Sequence, residues 1–124
     1  MSELRRLPDT ELEVMQVLWT LPSPSERSQI EEALKETHPM APTTVLTLLG
    51  RLAERGFVRI EKYGRTARYV PLVSRKDYQR TQSRRFVEKL FDGNISAFAS
   101  ALCEGGLDPE DLKELKDMLE RDTL

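Results

Sequence analysis

The sequence predicts a mainly α-helical fold with one small β-hairpin, and three observations carry that expectation. Apolar residues recur at helical spacing in segments between Pro8 and Arg55, and again after Arg75. From Phe57 to Val73 the period changes to two around a Gly64-Arg65 turn. Prolines and glycines fall between the segments, where the chain has to break.

The first helix spans about Pro8–Trp19, with Leu12, Met15, Leu18 and Trp19 recurring and Val14 alongside. Its start carries two signals: Pro8 suits a first-turn position, and Thr10-Glu11-Leu12-Glu13 reads as a capping box. Leu21-Pro22-Ser23-Pro24 breaks the chain. Ser25 is the expected N-cap of a second helix, about Glu26–Thr37, with Ile30, Ala33 and Leu34 on one face. His38-Pro39 ends it, because a residue before proline is pushed out of the α region. Pro42 opens a third helix, about Pro42–Arg55, and Gly56 is its expected C′ residue. Val45, Leu48, Leu49 and Leu52 occupy i, i+3, i+4 and i+7, one buried stripe.

Phe57–Tyr63 and Thr66–Val73 are the expected strands of the hairpin, with Lys62, Arg65 and Arg68 at its tip and edge. Three helices followed by a two-stranded hairpin is the element order of a winged helix-turn-helix. Beyond it, Arg75–Phe91 is basic at its start and apolar at its end, and Asp92-Gly93-Asn94 interrupts. Ile95, Phe98, Ala99 and Leu102 mark a short helix, and Asp108-Pro109 opens the last one, whose apolar face is Leu112, Leu115, Met118 and Leu119. Three such helices do not enclose a core alone, so their apolar stripe needs either the head or a second copy of the chain, and the second copy is favoured. The expected division is therefore a winged-helix head over residues 1–74 and a three-helix dimerisation domain over residues 75–124. The faces expected to meet a second copy carry Phe86, Leu90, Phe91, Ile95, Phe98, Leu102, Leu112, Leu115 and Leu119.

The length of 124 residues fits one head and half of a dimer core. A net charge of −2 conceals strong segregation. Residues 1–50 hold 4 basic and 8 acidic side chains, residues 51–85 hold 11 and 3, and residues 86–124 hold 4 and 10. The middle third, at +8, has the footprint of a polyanion-binding surface between two acidic segments. No run approaches the ~20 apolar residues of a membrane span, so a cytoplasmic protein without a membrane partner is expected. One cysteine (Cys103) excludes an intramolecular disulfide, one cysteine with one histidine (His38) argues against a structural zinc or Cys-clustered copper site, and no cofactor or metal is expected.

The outward face of the third helix carries Thr43, Thr44, Leu46, Thr47, Gly50 and Arg51, short and mostly uncharged residues where a solvated helix shows Glu and Lys. Such a face can approach a major groove. Ala41 is a poor N-cap, so the N–H groups of Thr43 and Thr44 are expected to be free for a phosphate oxygen. Thr44, Leu46 and Thr47 can meet base edges, including thymine methyl groups, and Arg51 can reach the backbone or a guanine. Lys62, Arg65 and Arg68 would clamp flanking phosphates, and Arg59, Arg75, Lys76 and Arg80 extend the positive surface.

At these residues the chain resembles the BlaI/MecI penicillinase repressors of bacteria. Leu7-Pro8-Asp9-Thr10-Glu11-Leu12-Glu13-Val14-Met15 with Leu18-Trp19 is similar to the family opening "(S/P)DAE(L/W)EVM…W". Ala41 to Leu52 followed by Gly56-Phe57-Val58 resembles "SPKTIxTLxxRLxxKG", and Tyr69 to Val73 resembles "YxPLV". The resemblance implies a homodimeric repressor on a palindromic operator of double-stranded DNA, upstream of resistance or stress genes. It also implies an inducing protease or sensor as partner. Carried over by position, Thr43, Thr44, Leu46, Thr47 and Arg51 are the groove contacts, and Arg65 and Arg68 the wing contacts. Thr43 and Leu46 depart from the family's lysine and arginine, so the operator sequence is expected to differ. The Asn-Phe bond cut in the best-known members aligns with Ala101-Leu102, another departure. The single Cys103 differs from the cysteine cluster of a copper-responsive branch.

Two rival readings remain: a winged-helix module that holds another protein, and a repressor released by a small molecule between its C-terminal helices. Catalysis is not expected. Glu110, Asp111 and Glu114 complement a helix dipole, His38 falls in a loop, and Cys103 is expected to be a buried small hydrophobe on an apolar face.

Overall fold

The computed structural model describes residues 5–121, with the side chains of 116 and 118–121 outside that description. The elements are α1 (Asp9–Thr20), β1 (Ser25–Glu26), α2 (Arg27–Thr37), α3 (Pro42–Glu54), β2 (Val58–Tyr63), β3 (Thr66–Pro71), α4 (Arg75–Phe91), α5 (Ile95–Glu104) and α6 (Pro109–Arg121). They form two compact units, Met1–Gln82 and Ser83–Leu124. The sequence drew its boundary at the loop before α4, whereas the compact units divide inside that helix.

In the first unit the apolar stripes of α1, α2 and α3 meet the inner face of a three-stranded antiparallel sheet of order β1-β3-β2. Val14, Met15, Leu18, Ile30, Leu34, Val45, Leu49 and Leu52 are the fully buried centre, closed by Phe57, Val58 and Tyr69. Tyr78 extends this core into α4, because its ring packs on Trp19 and Phe57 at 5.8 and 5.7 Å and its hydroxyl accepts the Leu7 N–H at 2.8 Å. Ser74 caps that helix by accepting the Asp77 N–H at 3.0 Å.

Three local expectations are corrected. Helix α1 starts at Asp9 with Pro8 in the N-cap position and no side-chain cap, so the box at Thr10 does not form. Glu11 instead turns inward, 1% exposed, and accepts Arg55 Nε at 2.7 Å and Nη2 at 3.4 Å. The N-cap of α2 is Glu26, not Ser25, in a reciprocal capping box with Gln29. Ser25 is diverted into β1, where it pairs with Tyr69 while its hydroxyl donates to the Pro22 carbonyl at 2.6 Å. Cys103 is exposed rather than buried.

Helix α3 ends as its sequence requires. Gly56 has φ +82, Phe57 N–H donates to Leu52 O at 2.9 Å and Gly56 N–H to Ala53 O at 3.1 Å, the two bonds of a Schellman motif. The pairing of buried Glu11 with half-exposed Arg55 ties this end of α3 to the first turn of α1. Removing the cation leaves a carboxylate buried without compensation. Arg55→Ala is expected to cost about 2 kcal/mol, below the fully buried range because Arg55 is itself partly exposed. Urea denaturation measures it, and an unchanged midpoint would contradict the account.

In the second unit Phe86, Phe91 and Phe98 form a triangle of edge-packed rings with centroids 5.5 to 6.1 Å apart. Asn94 caps α5 by accepting the Ala97 N–H, and Asp108 caps α6 by accepting the Asp111 N–H at 2.8 Å. Among the described residues, no helix is long and apolar enough to cross a membrane.

Candidate nucleic-acid interface

Burial of Val45, Leu48, Leu49 and Leu52 fixes the rotation of α3 about its axis. The opposite face, carrying Thr43, Thr44, Leu46, Thr47 and Arg51, is thereby exposed, as expected from the sequence. Leu46 is 43% exposed although large and apolar. One expectation at the start of the helix changes: Thr44 N–H donates to the Ala41 carbonyl at 3.0 Å and is not free. Among the described residues, Thr43 N–H has no backbone acceptor, since Pro42 begins the helix and Ala41 offers no side-chain cap. Thr47 Oγ1 donates to Thr43 O at 3.0 Å, so its hydroxyl keeps only acceptor capacity toward an outside group.

Beside this face runs a groove of about 300 Å³. Leu46 forms one wall, Arg65 and Ala67 of the hairpin the other, and Arg27 and Ser28 at the start of α2 close one end. The approach of α2 to the hairpin was not readable from the sequence, because the two-residue strand β1 that brings them together has no pattern of its own. The hairpin turn is set by Gly64 at φ +63, the only positive φ of its two loop residues, as a type II′ turn requires.

The cations divide into two groups. Arg51, Lys62 and Arg65 are exposed, and among the described residues none has a carboxylate within ion-pair distance. Lys76 is in the same condition. Arg68 is engaged: its guanidinium lies over the Tyr63 ring at 4.6 Å and its Nε is 4.0 Å from Glu26. Arg59 pairs with Glu61 at 2.8 Å, Arg80 pairs with Asp77, and Arg75 lies over the Trp19 ring at 5.8 Å. The hydrogen bond from Arg59, then that from the Tyr63 hydroxyl, hold the Glu61 carboxyl below its ordinary pKa of 4.5. The uncompensated positive charge among these cations is thus narrower than the sequence implied, and it lies at the hairpin tip, at Arg51 of α3 and at Lys76 of α4.

In the second unit, Phe86, Leu90, Ile95 and Leu112 are 51%, 64%, 64% and 41% exposed. Phe91, Phe98, Leu102 and Leu115 are half-buried, and the side chain of Leu119 lies outside the described residues. Ala101 and Leu102 lie within α5, and their carbonyls accept the N–H groups of Gly105 and Leu107 at 2.9 and 3.1 Å.

The family model described as "Penicillinase repressor" matches residues 7–121. The chain is 31% identical to the penicillinase repressor of Bacillus licheniformis, covering 97% of this chain and 94% of the relative. It is 27% identical to the methicillin resistance regulatory protein MecI of Staphylococcus aureus, over 93% and 94% of the two chains. The solution structure of the Bacillus licheniformis BlaI monomer in complex with the blaP half-operator matches with TM-score 0.52 and 33% identity, covering 63% of this chain and 94% of that one. A structure of the BlaI DNA-binding domain matches equally, with TM-score 0.53. With the helical head, the hairpin and the matched length in agreement, the chain belongs to the penicillinase repressor family of winged-helix transcriptional repressors.

Proposed function

We propose that this chain represses transcription as a homodimer, each head laying α3 in the major groove of one half of a palindromic operator. The observation that carries the reading is the outward face of α3, where Thr43, Thr44, Leu46, Thr47 and Arg51 stand exposed with no carboxylate until Glu54 at the helix end, and Lys62 and Arg65 of the hairpin add cations without an acidic partner among the described residues. Thr44, Leu46 and Thr47 meet base edges, with Leu46 suited to a thymine methyl group and Thr47 to a base amino group. Thr43 gives its free N–H and its hydroxyl to a phosphate, and Arg51 reaches the backbone or a guanine. Lys62 and Arg65 neutralise flanking phosphates. The related BlaI head, solved on a half-operator, supports this use of the fold.

The four large apolar side chains exposed on the second unit support its role as a dimer interface, since a lone chain gains nothing by keeping them in water. Joining two heads makes the second half-site contact intramolecular, which raises avidity by about 10²–10⁴. Induction then needs only to loosen that interface. A protease or a sensor in the cytoplasm is the proposed agent, and a cut at Ala101-Leu102 requires α5 to open first, because both carbonyls are hydrogen-bonded.

Selection of bound sequences from a random DNA pool tests the reading. Two inverted half-sites at one helical-turn spacing are expected. Retention of no sequence, or of a single unpaired motif, contradicts it.

A further inference from the structure

We infer that the row Glu26–Arg68–Glu61 is the anchor of the wing, and that Arg68 is a positioning residue for DNA binding, not a phosphate contact. The inference deepens the DNA-binding reading above and rests on it.

The sheet has three strands for only two rows. Ser25 and Glu26 of β1 pair with Tyr69 and Arg68 of β3, and the same β3 residues pair with Ile60 and Glu61 of β2. Beyond Arg68 the hairpin continues as a two-stranded ribbon, from Lys62 to Ala67, that carries the free cations Lys62 and Arg65. Isolated ribbons of this kind are marginal in water. Arg68 therefore stands in the last row where β3 has a neighbour on each side, and both neighbours are glutamates. Residues directly opposite across an antiparallel ladder share a face, so Arg68 shares one with both glutamates: its Nε is 4.0 Å from Glu26, while Glu61 is bonded by Arg59 and Tyr63.

Each member of the row has a further attachment. Glu26 caps α2 and exchanges hydrogen bonds with Gln29, which joins the row to the start of that helix. Glu61 accepts from Arg59 and from the Tyr63 hydroxyl, both at 3.0 Å. The Tyr63 ring, held by that bond, lies under the Arg68 guanidinium. Arg59, Glu61, Arg68 and Glu26 sum to zero charge, so this face of the hairpin offers no net attraction to a polyanion. The hydrogen bonds from Arg59 and then Tyr63 favour the charged form of the Glu61 carboxyl and lower its pKa.

The test compares full-length Arg68→Gln, Glu26→Gln and their double variant with Arg65→Gln, reading operator affinity against salt and amide hydrogen exchange of the free protein. Arg68→Gln is expected to weaken binding about fivefold, the scale of two cross-strand pairs and one stacked guanidinium. Its salt slope stays that of the parent, whereas Arg65→Gln lowers the slope by about 0.9 per head. Glu26→Gln gives a similar loss, and the double variant loses no more than either single one. Amides from Lys62 to Ala67 exchange faster in Arg68→Gln while those of α3 are unchanged, which separates loosening of the wing from general destabilisation. A fall in slope for Arg68→Gln, additive losses, or unaltered exchange in the hairpin each overturns the inference. If the parent protein binds no operator, the DNA reading fails, while the exchange comparison still decides whether the row anchors the wing.

Discussion

Replacing Lys62 and Arg65 together by glutamine is expected to lower operator affinity at least a hundredfold near physiological salt and to flatten its salt dependence. Both side chains are exposed and have no acidic partner among the described residues, so each is free to displace a counterion. A dimer would lose four phosphate contacts, and the log–log slope should fall by about 3.6, at about 0.9 per contact. Folding stability should stay within about 0.5 kcal/mol of the parent, as for surface positions that touch no special feature. Affinity falling without a change in slope would mean that these cations act through something other than phosphates. Lys76, also unpaired, is the internal comparison: its removal reports how far the positive surface extends along α4.

Leu90→Asp combined with Ile95→Asp is expected to give a monomer with intact heads. The two side chains are each 64% exposed, so the substitutions remove nothing from the chain's own buried core. Placed in a dimer interface, each desolvates a carboxylate without a partner, which costs far more than the lost apolar contact. Sedimentation should give a mass near that of one chain at micromolar concentration. Affinity for a full palindrome should fall by about 10²–10⁴ while affinity for a half-site is preserved, since only the intramolecular second contact is lost. A variant that stays dimeric would move the interface away from α4 and α5.

What could be read from the sequence was what local pattern determines. Helix α3 was legible throughout: Pro42 opens it, its apolar stripe sets the buried face, and Gly56 at positive φ ends it. The bare outward face followed directly from that stripe. Features set by distant partners were hidden. Strand β1 is two residues long and exists only because β3, more than forty residues later, lies beside it. Glu11 looked like part of a cap because its partner Arg55 is 44 residues away. A signal was present, since Glu11 shares the inward stripe with Met15 and Leu18, where a carboxylate needs a buried cation. The +8 of the middle segment counted cations correctly but not their neutralisation: Glu26 lies far upstream of Arg68, and Arg59 and Arg80 find acids within three residues. Charge counting therefore identified the right region and overstated its field.

Gel shift decides whether this head binds DNA through phosphates and base edges. The full chain is mixed with a fragment carrying its own promoter at two salt concentrations, with an unrelated fragment of equal length as competitor. A specific shift at low salt that weakens steeply as salt rises is predicted. No shift at low salt, or a shift indifferent to salt, would contradict the account.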